Sequence, residues 1–313
     1  MKTTEIFINK YGRFRSGWRF AFFLILFFSL STIFGKSLQL ILSRLPVDLE
    51  KISLFLFIFQ NFILLTMALA GGYLCGKVLE NLPFRALGGC FTKNWLKDLS
   101  LGLIFGAVAI LFAAFVAFAL GGISFQTNQT SESSSILRTL GASLLVFTIG
   151  AMAEEAFFRG YMLQTFLRAD LFWFGIILTS VFFAAVHGSN PNATFLSGFN
   201  TFLAGIWLGV AYLKTRNLWF PFGIHLTWNW LQGAVLGMNV SGIKEITAAP
   251  LFLATTNNDL SWLTGGIYGI EGGFACTFAL IFSTILIWFA PFLKPTPEML
   301  AFSSQEIPKP AIV

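Results

Sequence analysis

Two adjacent carboxylates and an arginine, Glu154, Glu155 and Arg159, stand inside the apolar run 151–160 of this chain. The run reads as membrane-embedded helix, where each charged group costs roughly 2.5–3.5 kcal/mol on insertion scales. Glu155 and Arg159 are four residues apart in the favourable acid-first order, so they share a helix face. Glu154 lies about 100° further round, where Arg159 neutralises it less. A desolvated, unneutralised carboxylate is a stronger base than one in water, which makes Glu154 the expected proton acceptor and activator of a water molecule. The chain's 2 histidines both fall in apolar runs as well. His187 closes the run 182–187, and His225 shares a helix face with Asn229 in 221–230. An imidazole and an amide on one face can donate two hydrogen bonds to one developing oxyanion.

Each group also has a plainer use. Glu155 and Arg159 can form a structural ion pair, His187 can cap a helix, and His225 with Asn229 can clasp a neighbouring helix. Taken jointly, those uses place costly polar groups on three unrelated helices with no shared purpose, and a common site accounts for them better. No GxSxG elbow and no HExxH pair occurs, so the usual serine and zincin arrangements are absent. By count alone, Glu154, His187 and His225 could ligate a divalent metal such as Zn. A water activated by Glu and His without any metal fits the same residues equally well.

The elements that must position these groups follow from composition. The chain is 56% hydrophobic and 11% charged, with a mean hydropathy of +0.76, against about 25% charged residues in soluble domains. An all-α polytopic membrane bundle is expected, and the net charge of +6 is to be read by which loops carry it, not as a nucleic-acid footprint. Three scattered cysteines without a CxxC pair suggest neither a disulfide framework nor a cysteine zinc site. Eight transmembrane helices are expected, near 20–34, 52–74, 99–120, 136–166, 171–187, 195–213, 218–236 and 270–290, the first retained because no cleavage site follows it.

Assigning the N-terminus, loops 75–98, 159–170 and 214–217, and the C-terminal tail to the cytoplasm collects 15 of the 20 Lys and Arg on that side. The opposite loops 121–135 and 188–194 hold none, so both termini are expected to be cytoplasmic. Residues 1–98 are expected to form N-terminal transmembrane helices with an interfacial or plain polar segment at 80–98. A catalytic core follows over 99–236. Residues 237–313 are expected to supply an outer loop able to cap the bundle, a last transmembrane helix, and a tail disordered after Pro291.

At this point the ordered motifs Glu154-Glu-x-x-x-Arg159, Phe183-x-x-x-His187 and His225-x-x-x-Asn229 resemble the CAAX protease and bacteriocin-processing (CPBP, or Abi) family of intramembrane proteases. The resemblance covers about residues 99–236. It implies an intramembrane endopeptidase, a hydrolase in which Glu154 and His187 activate water, His225 and Asn229 stabilise the oxyanion, and Glu155 with Arg159 supports the site. The family has been described as metalloproteases, and its site has also been read as metal-free. The expected partners are the lipid bilayer and a protein or peptide with a membrane-proximal cleavage site, with no nucleic acid, in a bacterial plasma membrane. Cleavage is expected in the cytoplasmic half of the bilayer. Two other classes stay open: a proton-coupled transporter using the same groups as a relay, and a non-catalytic bacteriocin-immunity or scaffold protein with the family fold. Counting along parallel helices leaves one conflict, because it places His187 roughly 24 Å and His225 about 10 Å from the cytoplasmic end.

Overall fold

Apolar runs too long for anything but helix dictate the architecture, and eight helices of 12 residues or more follow one another in the computed structural model, which describes residues 6–45, 52–243 and 245–304. They are α1 (Ser16–Leu42), α2 (Ser53–Glu80), α3 (Trp95–Ala119), α4 (Ser133–Leu167), α5 (Phe172–His187), α6 (Phe195–Thr215), α7 (Trp219–Trp230) and α8 (Phe274–Phe289). Among the described residues, α1, α2, α3, α4 and α6 are long and apolar enough to cross a membrane, while α5 and α8 are shorter apolar helices. The polytopic helical bundle expected from composition is present. Many large apolar side chains of α1–α3 and α8 face outward, Ile25, Phe55, Phe115 and Phe289 among them. Such a surface suits lipid and not water.

Small residues set the tightest helix contact, between α3 and α7. Gly102, Gly106, Ala109, Ala113 and Ala117 recur along α3 and are buried. A Cβ at Gly102 or Gly106 would run into the backbone carbonyls of Phe220 and Ile224, and one at Gly223 into Leu99. Helices without a hydrophobic drive between them associate through such close backbone approach. Pro221 lies in the first turn of α7, where a missing N–H costs nothing.

One end of the bundle is tied by charge. The Glu80 carboxylate accepts from Arg19 Nη1 at 2.8 Å and from Arg168 Nε and Nη2 at 2.8 and 2.9 Å, joining α1, α2 and the end of α4. At the same end Asn217 donates to Asp98 at 2.7 Å, and the Trp219 indole donates to the Cys90 carbonyl at 2.9 Å. The segment 81–94 between α2 and α3 covers this end, with Leu82, Ala86, Leu87 and Cys90 buried and Phe84 and Phe91 exposed. At the other end, strands β1 (Ile123–Thr127) and β2 (Phe252–Thr256) pair antiparallel, with Phe125 opposite Ala254.

The tail after Pro291 departs from its expected disorder. Pro297–Ser303 is helical, with Thr296 as N-cap and Pro at the first position. It is held by Arg85–Glu298 at 2.7 Å and by Arg216 Nη1 on the Ser303 carbonyl at 3.2 Å. A proline at the first helical position starts this helix, because the N–H it lacks has no intrahelical partner there. Pro308 and Pro310 lie outside the described residues.

The α3–α7 contact is testable. Gly106→Ala should lower folded stability by about 1–3 kcal/mol through overpacking, whereas Gly141→Ala, which meets open space, should lower none. Thermal unfolding of both variants in one detergent checks this.

Candidate active site

The 35-residue helix α4 brings its charges to mid-bundle, and its geometry changes at that point. Residues Ala156–Met162 form a π-helical turn directly after Glu154 and Glu155. Such widened turns are rare and are found frequently at functional sites. Arg159 Nη1 donates to Glu155 Oε1 at 2.9 Å, with both side chains 1% exposed, and Arg159 Nη2 donates to the Gly205 carbonyl of α6 at 3.2 Å. The expected ion pair therefore forms, and it is anchored to a third element. The same Glu155 Oε1 also accepts from His225 Nδ1 of α7 at 2.9 Å.

Glu154 points the other way. Its Oε2 is buried without a hydrogen-bond partner, and lies 3.8 Å from both His187 Nε2 and His225 Nε2. His187 Nδ1 meets the Phe183 carbonyl at 2.8 Å. A carbonyl only accepts, so Nδ1 carries a proton, and in the neutral tautomer this bond selects, Nε2 faces Glu154 bare. The Phe183 ring packs 4.6 Å from the His187 ring, 6.2 Å from that of His225 and 4.9 Å from the Arg159 guanidinium. That ring separates the arginine from the imidazoles.

Glu154, His187, His225 and Asn229 all line one cavity of about 400 Å³. Glu155 and Arg159 do not line it; they sit behind the wall and hold His225. The depth conflict from counting does not arise in the structure: His187 Nδ1 turns back one helical turn to the Phe183 carbonyl, and His187 Nε2 and His225 Nε2 each lie 3.8 Å from the same Glu154 oxygen. The cavity is also lined by Asn190, Ser241, Ile243 and Ile246, which belong to the loops at the end opposite segments 75–98 and 214–217.

Glu271 also lines the cavity and was missed by reading the chain. Its Oε1 accepts from the Trp228 indole at 3.1 Å, and its Oε2 from Ser241 N and Oγ at 2.7 and 2.8 Å. Its backbone carbonyl accepts from Asn200 Nδ2 at 2.8 Å. The carboxylate thus fastens the outer loop over α6 and α7, as a cap. Burial and the nearby Glu271 push the Tyr268 hydroxyl, in the same network, up to about 12, so it stays a protonated donor at neutral pH. A lone carboxylate just before an apolar helix, α8, was the available signal.

A resident divalent ion would have to be held by Glu154 Oε2 and the two Nε2 atoms. Among the described residues, no group of three or more His, Cys, Asp or Glu is gathered as a metal ion requires. The arrangement does not fit the metal-ligand alternative, and the chemistry derived below runs through side chains.

A helical membrane bundle enclosing a carboxylate, two imidazoles and an amide defines the class as one able to do acid–base chemistry inside the membrane region. The comparisons with known proteins narrow it. Residues 136–231 match the family described as type II CAAX prenyl endopeptidase Rce1-like, so the resemblance to the CAAX protease family is borne out over the stretch that holds all six motif residues. An "Uncharacterized 24.3 kDa protein" of Escherichia coli is 28% identical over 139 residues, which cover 42% of this chain and 62% of that protein. "Uncharacterized protein YyaK" of Bacillus subtilis (strain 168) is 24% identical over 245 residues, 74% of this chain and 75% of that one. "Putative membrane peptidase YdiL" of the same organism is 22% identical over 201 residues, 61% and 74% of the two chains.

Removing the charge that Glu155 supplies should leave Arg159 buried and uncompensated. Glu155→Gln is expected to cost about 3–5 kcal/mol of folded stability, read as a lowered unfolding midpoint in detergent. Glu154→Gln, whose Oε2 has no partner to lose, should leave the midpoint nearly unchanged.

Proposed function

We propose that the protein is an intramembrane endopeptidase that hydrolyses a peptide bond with water activated by Glu154 and His187. The observation carrying this reading is the partnerless Glu154 Oε2, 3.8 Å from two imidazole Nε2 atoms at one cavity. A gap of that length is too wide for a direct hydrogen bond and leaves the facing atoms available to a water.

In the proposed step the water gives a proton to Glu154 while its oxygen bonds to the scissile carbonyl carbon, with the bare Nε2 of His187 orienting its second hydrogen. The carbonyl oxygen becomes an oxyanion facing His225 and Asn229. His225 Nδ1 is committed to Glu155, so His225 donates from Nε2 as the imidazolium, for which the Glu155 carboxylate supplies the counter-charge. Asn229, one turn further along α7 and on the same cavity wall, donates from Nδ2. As the carbon–nitrogen bond breaks, the proton held by Glu154 passes to the departing amine. Glu155 and Arg159 touch no reacting atom in this scheme, and are positioning residues for His225. The bacterial plasma membrane is the setting this reading assumes.

Purified parent and variants assayed on a panel of membrane-anchored peptides test the reading. Glu154→Gln and His187→Ala should lose roughly a hundred- to ten-thousand-fold in turnover, and Asn229→Ala roughly a hundred- to a thousand-fold. Variants that cleave as well as the parent would sink the assigned chemistry. Full biological activity in Glu154→Gln would favour the non-catalytic, immunity-type reading instead.

A further inference from the structure

The cavity and the basic residues sit at opposite ends of the bundle. His187 is the last residue of α5, and the cavity extends from mid-bundle to Asn190 and to Ser241, Ile243 and Ile246 of the outer loop. Towards the other end its floor is closed. Tyr161, Met162, Leu163 and Phe166 of α4 are each at most 1% exposed, and below them lies the buried Arg19–Glu80–Arg168 cluster. No lining residue comes from that end, where segments 75–98, 159–170 and 214–217 converge.

That closed end is the one rich in positive charge. Leaving aside Arg159, which lies at the site, the described segments 6–19, 75–98, 160–170, 214–217 and 291–304 hold 12 Lys and Arg, against Lys36, Arg44 and Arg138 towards the other end and none in loops 121–135 and 188–194. Short loops rich in Lys and Arg are retained on the cytoplasmic side. The lining side chains that are exposed mark where the cavity meets its surroundings: Gln60 and Leu64 on α2, and Val186 on α5. They flank a lateral gap in the same half of the bundle.

We propose that the cavity serves the non-cytoplasmic side of the membrane: a polypeptide reaches Glu154 from that face and from the adjoining half of the bilayer, between α2 and α5. The substrates are then exported or membrane-anchored polypeptides whose scissile bond lies at or just inside the outer surface, not cytoplasmic C-terminal tails. The substrate class rests on the peptidase reading; the sidedness does not.

Two arms separate them. Cys75 and Cys90 are buried, and with Cys276, which lines the cavity, replaced by Ser in the parent, an introduced surface cysteine reports its own side. Ser189→Cys and, at a second position on the same face, Ile267→Cys should react with a membrane-impermeant maleimide on intact cells. Lys93→Cys, exposed at the opposite end, should react only after lysis. The reverse pattern overturns the proposal whether or not the protein cleaves anything. In the second arm, one peptide is fused to anchors that display it outside or inside, and cleavage that needs Glu154 is followed. Cleavage of the outer display alone supports the proposal, and cleavage confined to the inner display overturns it. Cleavage of neither, with the labelling as expected, removes the peptidase reading and leaves the sidedness standing.

Discussion

One oxygen atom, Glu155 Oε1, accepts hydrogen bonds from both Arg159 Nη1 and His225 Nδ1, and the geometry of the site depends on it. The first bond balances the carboxylate within α4. The second fixes the orientation and tautomer of an imidazole on α7. Arg159 completes the link by donating to the Gly205 carbonyl on α6. Three helices are thus registered to one another through groups that never enter the cavity. A buried ion pair is a poor source of stability, since well-packed apolar residues of similar volume often do better. Its value here is positional: it holds His225 Nε2 at the same 3.8 Å from Glu154 as His187 Nε2 on a different helix.

The packing around that link is arranged to let polar groups meet. The glycines of α3 admit the backbone of α7 closely enough to carry His225 and Asn229 inward. The π-helical turns at Ala156–Met162 and Leu231–Val235 each follow directly on site residues, one after Glu155 and one just past Asn229. Gly205 packs against Ser180 of α5, which keeps α5, and with it Phe183 and His187, against the α6 carbonyl that Arg159 uses. On the loop side Glu271 ties Ser241 to Trp228, so the roof of the cavity is anchored to the same helix that bears His225.

Much of the site was legible because membrane helices make polar residues conspicuous. Glu154, Glu155, Arg159, His187, His225 and Asn229 stood out against apolar runs, and their four-residue spacings matched one face each. What counting could not supply was depth. It treats helices as parallel rods, and misses that His187 folds back onto the Phe183 carbonyl. Arg19 and Arg168 counted only as basic residues that orient the chain, although with Glu80 they form a buried cluster. Whether a charge at a helix end is solvated or paired depends on what lies opposite, and sequence does not show that. Glu271 escaped notice for the same reason, and Pro297 because a proline at the first helical position looks, in isolation, like any other helix breaker.

The two imidazoles approach the same Glu154 oxygen at the same distance, yet they are not equivalent. Each has its Nδ1 occupied, His187 by a backbone carbonyl and His225 by a carboxylate. A carbonyl fixes a tautomer and adds no net charge. A carboxylate fixes the same tautomer and also supplies the counter-ion that a second proton needs. His187 is therefore suited to act as a neutral acceptor towards water, and His225 as a cationic donor towards an oxyanion. In the proposed mechanism a symmetric pair around Glu154 becomes a base side and a donor side, and the residue that breaks the symmetry is Glu155.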